Sequence, residues 1–115
     1  MPISELYTGS ETITTTEWSM TTDTSGPDTD TTDGVFQAFI DLANIENGDV
    51  FRFRIYEKDR GSGTQRPIFE NFFVGVQGIP LYVSPPFILI HGWDMTLLKI
   101  SGTDRTITWS IRQIS

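Results

Sequence analysis

Several groups of residues in this chain have the types that chemistry requires. His91 stands three residues before Asp94 and seven after Ser84. A hydroxyl, an imidazole and a carboxylate are the parts of an acyl-transfer triad, but such a triad also needs a strained turn under the serine and an oxyanion hole. No Gly-x-Ser-x-Gly elbow occurs, so His91 reads as a structural imidazole where an apolar run meets Gly92-Trp93. The stretch Asp28-Thr29-Asp30-Thr31-Thr32-Asp33-Gly34 offers the oxygens that calcium prefers. It breaks the EF-hand pattern twice: Asp33 stands where that loop has its glycine, and Phe39 where it has its final glutamate. It reads as a solvated acidic loop, with a weak cation site as the alternative. Glu17 beside Trp18 and Asp94 beside Trp93 are the acids nearest aromatics on strands, the residue types of glycoside hydrolysis. That reaction wants a deep cleft, which a small β-domain seldom has. Trp18, Trp93 and Trp109 could stack on a sugar; the alternation around Trp109 puts it in the core, and the other two stay open. The expectation is a protein that is not an enzyme, with no cofactor and no metal.

The elements that must position these residues are β-strands. Among 115 residues there are 16 Thr, 13 Ile and 5 Val, against two Ala and six Leu. β-Branched side chains lose rotamer freedom in helices and pack well on a pleated surface. Cysteine is absent, which excludes disulfides and thiolate chemistry. No apolar stretch approaches the roughly 18 residues of a membrane span, and Met1-Pro2-Ile3-Ser4-Glu5 does not read as a leader. Net charge is −7, unevenly spread: ten acids and no Lys or Arg precede Arg52, whereas eight bases and five acids follow. Phosphate binding needs a basic face, and Arg52, Arg54, Lys58, Arg60 and Arg66 are too scattered to make one, so no nucleic-acid partner is expected. The uneven charge reads as that of a soluble acidic protein whose strands segregate charge, or as that of a charge-polarised particle that would dock in one orientation on a charged surface.

Along the chain, residues 1–10 read as an N-terminal arm carrying Ile3, Leu6 and Tyr7, and residues 11–115 as one β-sandwich domain. Residues 11–24 suggest a strand with Trp18 and Met20 on one face, and 25–34 a loop. Residues 35–43 alternate with Phe36, Ala38, Ile40 and Leu42 together. Residues 50–59 set Phe51, Phe53 and Ile55 against Arg52, Arg54 and Tyr56. After the turn at 60–63, residues 64–76 form a return strand with Ile68, Phe72, Val74 and Val76 as its apolar face. Leu81–Val83 is a small strand, and Phe87–Ile90 suits a strand buried on both faces. Residues 93–100 and 105–114 read as a hairpin about Ser101-Gly102-Thr103-Asp104, with Ile107, Trp109 and Ile111 inward. The fold class is all-β: an antiparallel β-sandwich of seven to eight short strands, jelly-roll-like or immunoglobulin-like, with the strand order left open.

The segments His91-Gly92-Trp93-Asp94-Met95-Thr96-Leu97-Leu98-Lys99 and Gly102-Thr103-Asp104-Arg105-Thr106-Ile107-Thr108-Trp109-Ser110-Ile111-Arg112 resemble the C-terminal hairpin of small virion proteins of tailed bacteriophages. Ser10-Glu11-Thr12-Ile13 to Glu17-Trp18-Ser19-Met20 is similar to their first strand. Phe36-Gln37-Ala38-Phe39-Ile40-Asp41 and Phe53-Arg54-Ile55-Tyr56-Glu57-Lys58 are similar in character to their middle. The resemblance implies a capsid cement or decoration protein on the virion surface, a homo-oligomer, commonly a trimer, that clamps neighbouring major capsid proteins. It transfers no active-site residues. Leu6, Tyr7 and Trp18 are the candidate interface anchors. The alternatives are a tail or baseplate structural module and a carbohydrate-binding β-sandwich.

Overall fold

The computed structural model describes residues 3–114; the start of the expected arm, residues 1–2, and residue 115 lie outside the described residues. Ten strands follow one another: β1 (Ile3–Ile13), β2 (Trp18–Ser19), β3 (Thr24–Ser25), β4 (Gly34–Asp41), β5 (Val50–Glu57), β6 (Arg66–Val74), β7 (Leu81–Val83), β8 (Phe87–Leu89), β9 (Asp94–Ser101) and β10 (Arg105–Ile114). They form two antiparallel sheets. One has the order β1-β10-β4-β7, with β8 also on β4; the other runs β3-β2-β9-β5-β6. Only β2–β3 and β5–β6 are pairs of consecutive strands, whereas an immunoglobulin sandwich pairs consecutive strands in both sheets. Here the first and last strands lie side by side and the chain crosses repeatedly between sheets, which is the jelly-roll alternative. The count exceeds seven to eight because β2, β3, β7 and β8 are two or three residues long.

Strict alternation decides the middle of both sheets. Phe36, Ala38 and Ile40 of β4 and Ile107, Trp109 and Ile111 of β10 face Phe51, Phe53 and Ile55 of β5 and Met95 and Leu97 of β9, all buried. The Trp109 indole nitrogen reaches across to donate to the Met20 carbonyl at 2.9 Å. Gly9 is the register partner of Trp109, and a β-carbon at Gly9 would overlap the indole ring. Gly9→Ala is therefore expected to cost about 2 kcal/mol through overpacking, read as a lower urea midpoint at unchanged slope.

Five expectations are corrected. From Ile3 on, the arm is strand β1, paired with β10 along its length, and the strand expected over 11–24 ends at Ile13. On β6 the faces are exchanged: Phe69 and Phe73 point inward, while Ile68, Phe72 and Val74 lie exposed. Both parities of that segment are apolar, so alternation could not choose between them. The run Phe87–Ile90 is not buried on both faces: Leu89 is enclosed, but Ile88 is 81 % exposed on an edge strand. Finally, β9 and β10 are not a hairpin. Strand β9 pairs with β2 and β5, β10 with β1 and β4, and the turn between them crosses from one sheet to the other.

That crossing is held by Asp49 and by Lys99, which donates to the Gly102 carbonyl at 3.1 Å and lies 2.6 Å from Asp104. Asp49, only 2 % exposed, accepts from the Thr103 backbone N–H at 2.9 Å, the Glu46 N–H at 2.9 Å and the Arg105 guanidinium at 2.7 Å. Its carbonyl takes the Gly75 N–H at 2.8 Å. Gly102 turns the chain at φ +93°, where a β-carbon would press on Asp49.

Candidate interaction surface

The sheet orders give the sandwich two unlike sides. On one side lie the open edges β1 and β3 with loops 14–17 and 26–33; on the other lie β6 and the β7–β8 edge. Rings join the second pair of edges across the sandwich: Phe69 meets Phe87 at 5.1 Å between centroids, and Phe73 meets Tyr82 at 4.9 Å.

The β1–β3 side is polar and acidic. Glu5, Asp23, Asp28 and Asp33 are exposed there. The expected anchors lie on this side and are half-buried, each engaged within its own chain. Leu6 packs on the core. The Tyr7 hydroxyl donates to Asp30, and its ring stands edge-on to Trp93 at 6.4 Å. Burial, and then the Asp30 carboxylate, push the Tyr7 hydroxyl pKa up. The Trp18 indole donates to Asp23 Oδ1 at 3.0 Å. Behind them, Asp94 is fully enclosed. It accepts from the Asp28 N–H, the Met95 N–H and the Thr21 hydroxyl, each at 2.8 Å. Burial outweighs these donors and raises its pKa. Asp94 thus fastens the acidic loop. Asp30 does the same through its backbone, exchanging two hydrogen bonds with Trp93 at 2.7 and 2.8 Å. Among the described residues no group of three His, Cys, Asp or Glu side chains gathers where a metal could bind.

The other singled-out residues do not assemble. Ser84 is buried, donating to the Pro85 carbonyl and accepting from the Ala38 N–H, both at 2.9 Å. The His91 backbone N–H lies on the Glu57 carboxylate at 3.0 Å. Ser84, His91 and Asp94 share no hydrogen bond among the described contacts. Trp93 is completely enclosed and Trp109 is 4 % exposed, so neither presents a stacking face. The Arg52 and Arg54 row is neutralised. Glu17 lies 3.6 Å from Arg52 and also accepts from Thr96 at 2.6 Å, while Arg54 meets Glu70 at 2.5 Å.

The β6–β8 side carries what the sequence did not show. Among the described residues, nine of the eleven exposed large apolar side chains fall between residues 68 and 90. Ile68, Phe72 and Val74 lie on β6; Val76 and Ile79 follow in the connection; Leu81 and Val83 lie on β7; Ile88 and Ile90 lie on and after β8. Their exposure runs from 43 % at Val83 to 81 % at Ile79 and Ile88. With Phe69 and Phe73 of β6 and Tyr82, Phe87 and Leu89 of β7 and β8 turned inward, the exposed side chains of β6 lie on the outer face of one sheet and those of β7 and β8 on the outer face of the other. The signal was the apolar character of both parities in 68–76, which suits an edge strand with a partner as well as a buried strand. Beside this side, Glu57, Lys58, Asp59, Arg60, Arg66 and Ile68 line an open recess of about 500 Å³.

No protein-family model, no curated protein and no solved structure matches this chain.

Proposed function

We propose that this chain is a structural virion protein, a capsid cement or decoration protein that binds neighbouring major capsid proteins on the outside of the shell. The observation that carries this reading is the pair of opposed, unlike sides: one acidic, one apolar, with a fully packed core between. A protein that joins neighbours needs two contact surfaces and a rigid body, and needs no cleft. Many modest contacts to a repeating lattice then add through multivalency. The resemblance of the segments at 91–99 and 102–112 to small virion proteins supports the same reading. Enclosure of Trp93 and Trp109 favours adhesion to protein over sugar binding. The chain acts by contact, without catalysis or a cofactor.

The acidic side is the one to be steered onto the shell, since opposed charge raises encounter rates. The test is to add the purified protein to shells of its own phage that lack it. The expected result is saturable co-sedimentation and a higher temperature of shell rupture. Reversing Glu5, Asp23 and Asp28 to Lys should slow association about tenfold at low salt and remove most of its salt dependence. Absence of binding to shells, or particle density that places the chain in the tail, overturns the cement assignment.

A further inference from the structure

We propose that Asn47 is a site of spontaneous modification: the Gly48 backbone nitrogen displaces its side-chain amide, and the β-linked product loosens the hold of Asp49 on the crossing between sheets. Three asparagines occur in the chain. Asn44 precedes Ile45, and its side chain donates to the Thr106 carbonyl at 2.9 Å. Asn71 precedes Phe72 inside β6 and is paired with Phe53. Asn47 alone precedes a glycine, and both residues are exposed in the connection from β4 to β5. The Asp49 N–H donates to the Glu46 carbonyl at 3.1 Å, closing a turn with Asn47 and Gly48 at its centre. Gly48 has φ +93°. Among the described residues its N–H makes no backbone hydrogen bond, and a β-carbon built on it would meet nothing within 4 Å. The Asn47 side-chain oxygen would lie 3.5 Å from a β-carbon on Gly75, and among the described residues no hydrogen bond fixes it. A glycine tolerates either sign of φ, so the 47–48 peptide can rotate without a steric barrier. That rotation sets the Gly48 nitrogen at the near-attack distance of about 3–3.5 Å from Asn47 Cγ. The side chains of Ile45 and Phe72 hinder the same rotation after Asn44 and Asn71.

Hydroxide removes the Gly48 amide proton. The nitrogen attacks Asn47 Cγ, the N–Cγ bond forms and the Cγ–Nδ2 bond breaks; Nδ2 takes a proton from water and leaves as ammonia. The product is a five-membered imide closed within the chain, so no translational entropy is lost. Water then adds to one of its two carbonyls. Opening at Cγ leaves an aspartate with the main chain unchanged. Opening at the main-chain carbonyl leaves an isoaspartate, whose link to Gly48 runs through Cβ and Cγ. No atom is oxidised or reduced. The isoaspartate puts one extra carbon into the main chain between Glu46 and Asp49. Across this turn the Glu46 N–H reaches Asp49 Oδ2 at 2.9 Å. The Asp49 carboxylate in turn holds the Thr103 N–H, and the Asp49 carbonyl holds the Gly75 N–H. A longer turn shifts Asp49 away from these donors, and the new carboxylate adds negative charge beside Glu46 and Asp49. The inference stands apart from the cement reading.

The test holds the full native chain warm at mildly alkaline and at mildly acidic pH and follows it by intact mass and peptide mapping. The expected result is conversion confined to Asn47, faster in alkali, with both aspartate and isoaspartate found there. Asn47→Gln, whose longer side chain departs from the near-attack geometry, should convert at least about tenfold more slowly. Asn47→Asp carries the charge without the extra main-chain carbon and should keep the urea midpoint. The fraction rich in isoaspartate should have a lower midpoint than fresh protein. Its Thr103 and Gly75 amides should exchange faster than the global change accounts for. Conversion at Asn44 or Asn71 ahead of Asn47, conversion at Asn47 only in urea, or an isoaspartate fraction as stable as the fresh chain each overturns the inference. An Asn47→Asp midpoint as low as that of the aged fraction does so too, because charge rather than the extra carbon would then loosen Asp49.

Discussion

Replacing Trp93 with Ala is expected to lower the unfolding free energy by about 4 kcal/mol, the upper-middle of the range for deleting a buried aromatic side chain. Trp93 has no exposed surface and is the largest fully buried side chain of the core. Its ring lies 4.4 Å from that of Phe36 and edge-on to Tyr7. Its indole nitrogen donates to the Thr32 carbonyl at 2.7 Å. The truncation therefore leaves a cavity between the two sheets and an unpaired carbonyl in the acidic loop. It also loosens the backbone bridge between Trp93 and Asp30, so amide exchange at Asp30 should speed up beyond the global change. Trp93→Phe separates these contributions. It keeps a six-membered ring in the site but loses the indole donor and part of the ring volume, and should cost about 2 kcal/mol. Equal losses in the two variants, measured by urea unfolding, would show that the hydrogen bond rather than the ring fills the role. The same comparison bears on sugar stacking. A tryptophan that stacks on ligand from an open face can be removed at little cost in stability, whereas Trp93 is enclosed in the core.

Alternation was readable wherever a strand has one wet and one dry face. The residues of β4, β5 and β10 sit in the middle of their sheets, so the period of two in Phe36-Ala38-Ile40, Phe51-Phe53-Ile55 and Ile107-Trp109-Ile111 maps directly onto the core. Tyr56 keeps to it, on the face of Arg52 and Arg54, and is buried there against Glu17 and Arg54. Its hydroxyl donates to Glu17, which also lies 3.6 Å from Arg52. Turn residues are readable too, but they say only that the chain reverses. Ser101-Gly102-Thr103-Asp104 serves a crossing between sheets as well as it would a hairpin, and the partner that selects the crossing, Asp49, is more than fifty residues away. The apolar side was hidden for a related reason. An exposed isoleucine and a core isoleucine are the same letter, and only the strand order shows that β6, β7 and β8 are edges. Leu6, Tyr7 and Trp18 were legible as apolar residues in a polar segment, and their half-burial against the chain's own core follows from contacts of long sequence separation.

Exchanging Asp49 for Asn should destabilise the protein strongly at neutral pH and progressively less as the solution is acidified. The Asp49 carboxylate is held at a pKa of about 2, first by the Thr103 N–H, then by the Glu46 N–H, then by Arg105. An unfolded aspartate titrates near 3.8. A carboxylate whose pKa is depressed by folding binds fewer protons in the native state, so its stabilisation is complete above the unfolded value and is lost as pH falls through the folded one. The window for this group thus runs from 3.8 down to about 2. An Asn side chain carries one acceptor where the carboxylate presents two, and its amide hydrogens would face either the Thr103 N–H or both the Arg105 guanidinium and the Glu46 N–H. The staple that carries the chain between sheets at Gly102, and that ties in Gly75 behind β6, would lose its charge and at least one bond. Denaturant unfolding of both proteins at pH 7, 4 and 2 should give curves that converge as pH drops. Asp94 predicts the opposite slope, because burial raises its pKa and its contribution weakens as pH rises above the ordinary carboxylate value. A difference between wild type and Asp49→Asn that stays constant across those three pH values would mean that Asp49 holds the crossing through shape alone, and that its charge contributes nothing to the fold.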